Sequence, residues 1–142
     1  MQIERNVSKG QLLALTFMQD AVAASQSNVQ LPIAEVTAGA GIAIDGYVMP
    51  WAGEIVGISA YLSAAGSAGS LTVGATIGGT EAADPTLSIT TATTASDVCP
   101  RGTAQFAAGA VIGAEITSDG SWNGTTADLG VTVYVLTYLD GI

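Results

Sequence analysis

The sequence predicts an all-β protein, a jelly-roll-like or tulip-like antiparallel β-sandwich with an N-terminal arm. Three observations support this fold class. From residue 29 onward, apolar side chains recur at every second position, which is the period of a strand with one buried face. Turn residues interrupt these runs about every 8–15 residues, a spacing typical of sandwiches. No segment of residues 29–142 has a convincing helical period.

The first 28 residues differ from the rest of the chain and are predicted to form an arm, followed by a sandwich domain over residues 29–142. The charges of residues 1–28 cancel, whereas residues 29–142 hold ten acids and one base. The arm is either a helix, because Leu15, Met18 and Val22 fall at roughly helical spacing, or an extended segment with Leu13, Leu15 and Phe17 on one face. Its apolar residues are candidates for contact with a partner protein: Leu12, Leu13, Leu15, Phe17 and Met18.

Within the body, residues 55–62 have the clearest alternation, with Val56, Ile58, Ala60 and Leu62 on one face. A Gly-rich loop separates this run from a second one at residues 71–77, so the two are predicted to form a hairpin. Shorter strands are predicted at 31–36, 42–48 and 87–89. Residues 90–103 lack a period and are predicted to be a long loop.

The last strands have the strongest patterns. Residues 111–117 place Ile112, Ala114 and Ile116 together, and residues 129–139 follow with an unbroken alternation. The second face of residues 129–139 is unusual, because a half-exposed strand should be polar there. Two interpretations stay open: a central strand covered on both faces, or an oligomer interface formed by Tyr134, Leu136 and Tyr138.

The composition limits the partners. The chain has 12 acidic and 3 basic residues, for a net charge of −9, so nucleic acid and anionic membrane surfaces are disfavoured. Only 11% of the residues are charged, against about 25% in an ordinary protein. A protein whose surface is largely covered by other protein needs fewer charged residues to stay in solution, so the low charge content favours extensive protein contacts.

The sequence lacks the residues of common catalytic sites. With no histidine, one cysteine and one lysine outside any glycine loop, it excludes Ser-His-Asp triads, thiolate clusters and P-loops. We therefore expect no enzyme and no cofactor. Two weaker alternatives are a pair of carboxylates acting in hydrolysis and a calcium site built from loop acids, namely Glu81, Asp84, Asp119 and Asp128. Trp51 and Trp122 lie beside turns and are interpreted as lids of the core.

Several segments resemble phage head-fibre and capsid decoration domains. Residues 49–59, MPWAGEIVGIS, look like the P-x-x-G-x-I-V-G-I-S strand entry of those domains, and residues 69–73, GSLTV, look like the strand after it. The end of the chain is similar to the close of those domains, in the segments FAAGAVIG (106–113), TSDG (117–120) and TADLGVTV (126–133). The resemblance covers roughly residues 48–139.

This resemblance implies a structural protein of the virion, a cement protein that binds the outside of a tailed-phage head and links its capsomers. The implied partners are the major capsid protein and further copies of the chain, in a homotrimer. The expected location is the capsid exterior, after synthesis in the host cytoplasm. The alternative is a receptor-binding tip of a tail fibre or tail spike.

Overall fold

The computed structural model describes residues 10–34 and 44–139, and every regular element in these ranges is a strand. All strand pairs are antiparallel. In chain order the strands are β1 (Gly10–Gln19), β2 (Val29–Gln30), β3 (Tyr47–Val48), β4 (Gly53–Leu62), β5 (Leu71–Ile77), β6 (Thr80–Ile89), β7 (Thr94–Val98), β8 (Ala104–Phe106), β9 (Val111–Ser118) and β10 (Leu129–Tyr138).

The strands form two sheets that pack face to face. Sheet A has the order β1-β10-β4-β7, with β8 also paired to β4. Sheet B has the order β2-β9-β5-β6, with β3 also paired to β9. β2 with β3, and β7 with β8, can each be counted as one interrupted strand, which leaves eight strands in chain order. The first of these eight pairs with the eighth, the second with the seventh, the third with the sixth and the fourth with the fifth. This nested pairing is a jelly roll, and it confirms the predicted fold class.

The core lies between the sheets and follows the period of two. Along β10, Leu129, Val131, Val133 and Val135 are buried while the residues between them are half-buried. The predicted set Ile112, Ala114 and Ile116 of β9 is fully buried against them from sheet B. Burial of these branched side chains on facing sheets supplies the main stabilising term of the fold.

The N-terminal arm differs from its prediction. Residues 10–19 form β1, which pairs along its whole length with β10 and so is an edge strand of the sandwich. Residues 20–28 stay attached, since the Val22 N–H donates to Ala127 O at 3.0 Å and the Ser25 N–H to Asp119 O at 3.1 Å. The boundary at residue 28 therefore does not separate two packing units, and residues 1–9 of the predicted arm lie outside the described residues.

The predicted hairpin between residues 55–62 and 71–77 is wrong. These runs are β4 and β5, which lie in different sheets, and the loop between them crosses the end of the sandwich. Alternation specifies only which face of each strand is buried. Two strands joined by a loop bury these faces equally well when they face each other from opposite sheets and when they pair in one sheet. The true hairpin partner of β5 is β6, across Gly78 and Gly79.

Three smaller differences concern register and extent. Residues 94–98 of the predicted loop 90–103 form β7, whose polar sequence TASDV hides the strand period. A bulge opposite Tyr134 and Val135 shifts β4, so Ile55 rather than Val56 points into the core. Residues 42 and 43 of the predicted strand 42–48 lie outside the described residues, and Ile44 and Val48 are exposed.

Candidate interaction surface

The outer face of sheet A is a broad surface of small and apolar side chains. The residues that point outward are uncharged along β1, β10 and β7, as are Gly57, Ser59 and Tyr61 of β4. Several large apolar side chains on this face are well exposed: Leu12 (60%), Met18 (41%), Tyr61 (60%) and Val98 (78%). We call it the sheet A outer face. An apolar face of this kind is typical of a protein contact.

The three residues predicted as an oligomer interface lie on this face. Tyr134, Leu136 and Tyr138 alternate along β10, and each is half-buried. β10 is an interior strand between β1 and β4, as the first interpretation required. Yet apart from a turn at Arg101 and Gly102, no described segment packs over the face. The hydroxyl groups of Tyr134 and Ser59 lie 3.3 Å apart and tie the face to β4.

The five apolar residues predicted for partner contact divide between the two sides of β1. Leu15 and Phe17 belong to the core, and Leu13 packs against it. The ring of Phe17 meets that of Tyr47 edge to face, with 5.6 Å between centroids. These residues are therefore structural, which corrects their assignment to a contact arm. Leu12 and Met18 point outward and join the sheet A outer face.

One end of the sheet A outer face carries an ion pair between a buried carboxylate and an exposed guanidinium. Glu54 lies opposite Leu136 beyond the bulge, and its side chain is only 1% exposed. Arg101, the single basic residue among those described, covers it and donates from Nε, while the Gly102 N–H donates to the other carboxylate oxygen. Burial alone would raise the pKa of Glu54, but hydrogen bonds from Gly102, Arg101 and Tyr138 hold that pKa below its usual range.

The other end of the sheet A outer face holds an apolar groove. Met18, Gly130 and Tyr61 are neighbours on three adjacent strands, and the glycine in the middle leaves a slot between the two larger side chains. Asp20 and Asp128 line the end of this slot. No sequence pattern predicted this groove, although a glycine inside the strongest strand is a signal of close approach by another group.

Sheet B carries a pair of carboxylates on its outer side. Glu115 on β9 lies near Glu81 on β6, and the Gln30 amide donates to Glu115 Oε2 at 2.7 Å. Burial first, and then the charge of Glu81, raise the pKa of Glu115 above its usual value. Two carboxylates so placed resist being ionised together, and this makes the acidic side of the molecule sensitive to pH.

The acids considered for calcium binding do not converge. Asp119 is occupied by its own loop and by the loop before β5, accepting from Ser121 N at 2.9 Å, Ser70 N at 2.9 Å and Ser70 Oγ at 2.8 Å. These hydrogen bonds, first that of the Ser70 hydroxyl, lower the pKa of Asp119. Among residues 10–34 and 44–139 there is no group of three metal-ligating side chains.

The two tryptophans have different environments. Trp122 closes one end of the core, as predicted, and its Nε1–H donates to Val22 O at 3.1 Å. Trp51 is 43% exposed and is not a lid of the core.

The single cysteine, Cys99, is buried. Burial raises the pKa of its thiol, which disfavours the reactive thiolate.

Comparison with known proteins finds no family model that matches the chain and no curated protein similar to it. None of the described residues belongs to a helix long and apolar enough to cross a membrane.

Proposed function

We propose that the chain is a structural protein of the virion, a cement protein that decorates the outside of a tailed-phage head. It acts without catalysis or a cofactor, as a homotrimer bound to the major capsid protein. The observation that carries this proposal is the sheet A outer face, whose exposed strand residues are small or apolar and uncharged, on an otherwise acidic body. The segments that resemble capsid decoration domains support the same assignment.

The two ends of the sheet A outer face suit two kinds of contact. Leu12, Leu136 and Tyr138 cluster at one end, and the groove at Gly130 lies at the other. Leu136 lies six positions along β10 from Gly130, a distance of about 20 Å at about 3.3 Å per residue. We assign the first end, with Tyr134, to contact between copies, and the groove end to contact with the capsid protein.

Charge and symmetry explain how such a module would stabilise a head. Each contact is weak, but a trimer engages equivalent capsid sites at once, so the contacts reinforce one another. Linking neighbouring capsomers opposes the outward pressure of packaged DNA. The acids of sheet B face away from the contact surface and keep decorated particles soluble and mutually repelling.

The test is the number and place of copies on the particle. Purified protein is mixed with heads of the phage that encodes the chain, from which the chain has been deleted, and the particles are imaged by electron cryo-microscopy. We expect hundreds of copies on the head exterior, arranged with the symmetry of the shell. A few copies at the tail would instead establish a receptor-binding tip, and a protein that sediments free of the particles would contradict both.

A further inference from the structure

The groove on the sheet A outer face has the shape of a slot for one side chain. Its floor is Gly130 on the middle strand, and a Cβ added there would meet no atom within 4 Å. Its walls are Met18 on β1 and Tyr61 on β4. The cavity has a volume of about 180 Å³. Small-molecule pockets are larger, about 300–1,000 Å³, so this one suits a single long side chain.

The end of the otherwise apolar slot is bordered by two exposed carboxylates, those of Asp20 and Asp128. The side chains of Asp20 and Asp128 contact each other, and that contact together with the charge of Asp128 raises the pKa of Asp20. The Ala21 N–H donates to Asp128 Oδ1 at 3.3 Å. Gln19 also borders the slot, but its side chain lies on the core side of β1, where its Nε2–H donates to Gln26 Oε1 at 3.1 Å.

These acceptors have no cation within the part of the chain that the structure describes. Arg101 is the single basic residue there, and it is bound to Glu54 at the opposite end of the sheet A outer face. Two adjacent carboxylates thus lie at the end of an apolar slot. That combination is complementary to a long apolar stem that ends in a positive charge.

We propose that this slot receives a lysine side chain of the capsid protein, with its methylenes between Met18 and Tyr61 and its ammonium at Asp20 and Asp128. The inference rests on the proposed function for the source of the lysine. Lysine fits better than arginine, because a compact ammonium with three donors can serve several acceptors around one point, whereas a planar guanidinium prefers one carboxylate.

The first experiment measures the slot directly. Acetyl-Ala-Lys-Ala-amide is titrated into the labelled full-length protein and followed by nuclear magnetic resonance, next to the same peptide with norleucine in place of lysine. We expect the lysine peptide to shift the amide signals of Ala21, Asp128 and Gly130 with millimolar affinity, and the norleucine peptide to bind at least tenfold more weakly. Equal binding of the two peptides, or no binding of either, overturns the inference.

Variants separate the slot from the general charge of the molecule. Gly130→Val fills the slot without changing charge, and the double variant Asp20→Asn with Asp128→Asn removes the acceptors' charge. The matched control, Glu81→Gln with Asp84→Asn, removes the same charge from sheet B. We expect the first two proteins to bind the lysine peptide at least tenfold more weakly and the control to keep its affinity. If the control loses as much affinity, the attraction is only general and the inference fails.

Calcium chloride and Lys9 provide two further outcomes. If calcium, but not the lysine peptide, shifts the signals of Asp20 and Asp128, the acceptors form a cation site and the lysine assignment is wrong. If Lys9→Gln and Gly130→Val each abolish self-association of the protein, the lysine comes from a second copy, which also overturns the assignment to the capsid protein.

Head binding then distinguishes this inference from the proposed function. If wild-type protein does not bind heads, the proposed function fails, while the peptide experiment still reports on the slot. If wild-type protein binds heads and Gly130→Val binds them equally well, the proposed function stands and the lysine slot is wrong. We expect Gly130→Val to reduce head affinity at least tenfold and the sheet B control to leave it unchanged.

Discussion

At the scale of single residues, glycine and tryptophan together close one end of the sandwich. Gly69 has a φ of +78°, and a Cβ added to it would lie 2.3 Å from the backbone nitrogen of Trp122. The turn of Trp122 therefore packs directly on the loop between β4 and β5, the loop that carries the chain from one sheet to the other. This close approach helps to hold the two sheets together at that end.

A pair of substitutions tests this close approach. Gly78 also has a positive φ, of +62°, but a Cβ there would meet nothing within 4 Å. Gly78→Ala should therefore cost only the left-handed backbone strain, about 1–2 kcal/mol. Gly69→Ala adds a clash with backbone that cannot move aside, and overpacking costs a further amount of about 1–3 kcal/mol. Urea unfolding of both variants measures the difference, and equal costs would show that the contact with Trp122 is loose.

A second prediction at this scale concerns the pH dependence of stability. The pKa of Glu115 is raised in the folded protein, so its contribution to stability is present below the ordinary value of 4.5 and is lost as pH rises through the folded pKa. Glu115→Gln removes this loss and keeps an oxygen for the Gln30 amide. We expect the variant to be more stable than wild type at pH 7.5, with the advantage disappearing at pH 3.5.

Urea midpoints at the two pH values measure this effect as a difference between variant and wild type, so that the other carboxyl groups cancel. Glu81→Gln is the companion variant, because it removes the same repulsion from the opposite side. A Glu115→Gln protein that is less stable than wild type at pH 7.5 would mean that the Gln30 hydrogen bond outweighs burial and repulsion.

At the scale of elements, β1 shows how one strand serves two roles. Its inward residues Leu15 and Phe17 are part of the core, while Leu12 and Met18 extend the apolar surface of β10 outward. Pairing with β1 also removes β10 from the edge of sheet A. An edge strand as apolar as β10 would be a site of aggregation, so β1 protects the strand on which the proposed interface is centred.

The role of β1 is tested by two neighbouring residues. Phe17 is fully buried, and Phe17→Ala should lower the free energy of unfolding by about 3–5 kcal/mol. Met18 is 41% exposed on the same strand, and Met18→Ala should change it by about 0.5 kcal/mol or less. Thermal unfolding compares the two proteins. If both variants were as stable as wild type, residues 10–19 would be a detachable arm after all.

At the scale of the whole molecule, charge is segregated between the two sheets. The outward residues of sheet A are uncharged apart from the buried Glu54, whereas Glu81 and Glu115 lie on the outer side of sheet B. Copies of the chain therefore meet with the least repulsion through sheet A. Under the proposed function, this segregation orients each copy with its acidic side toward solvent.

Self-association is the property that tests this segregation. Leu12→Lys places one charge on the sheet A outer face at a position that is 60% exposed, so the fold should tolerate it. Ser88→Lys places the same charge at an exposed position on β6 of sheet B and is the matched control. We expect wild type and Ser88→Lys to sediment at three times the chain mass of 14.1 kDa, and Leu12→Lys to sediment as a monomer. A trimeric Leu12→Lys protein would place the contact between copies elsewhere.

The sequence alone determined the fold class and most of the core, because a period of two identifies the buried side of each strand wherever that side is consistently apolar. This is why β9 and β10 were predicted correctly, while β7, with its polar sequence, was missed. Tertiary structure decided which strands pair. Three features depend on partners distant in the chain: the separation of β4 from β5, the inclusion of β1 in sheet A, and the bulge that places Ile55 instead of Val56 in the core. The groove at Gly130 also depends on tertiary structure. It forms because strand pairing places Met18 and Tyr61 on either side of this glycine, and no local sequence pattern specifies that pairing.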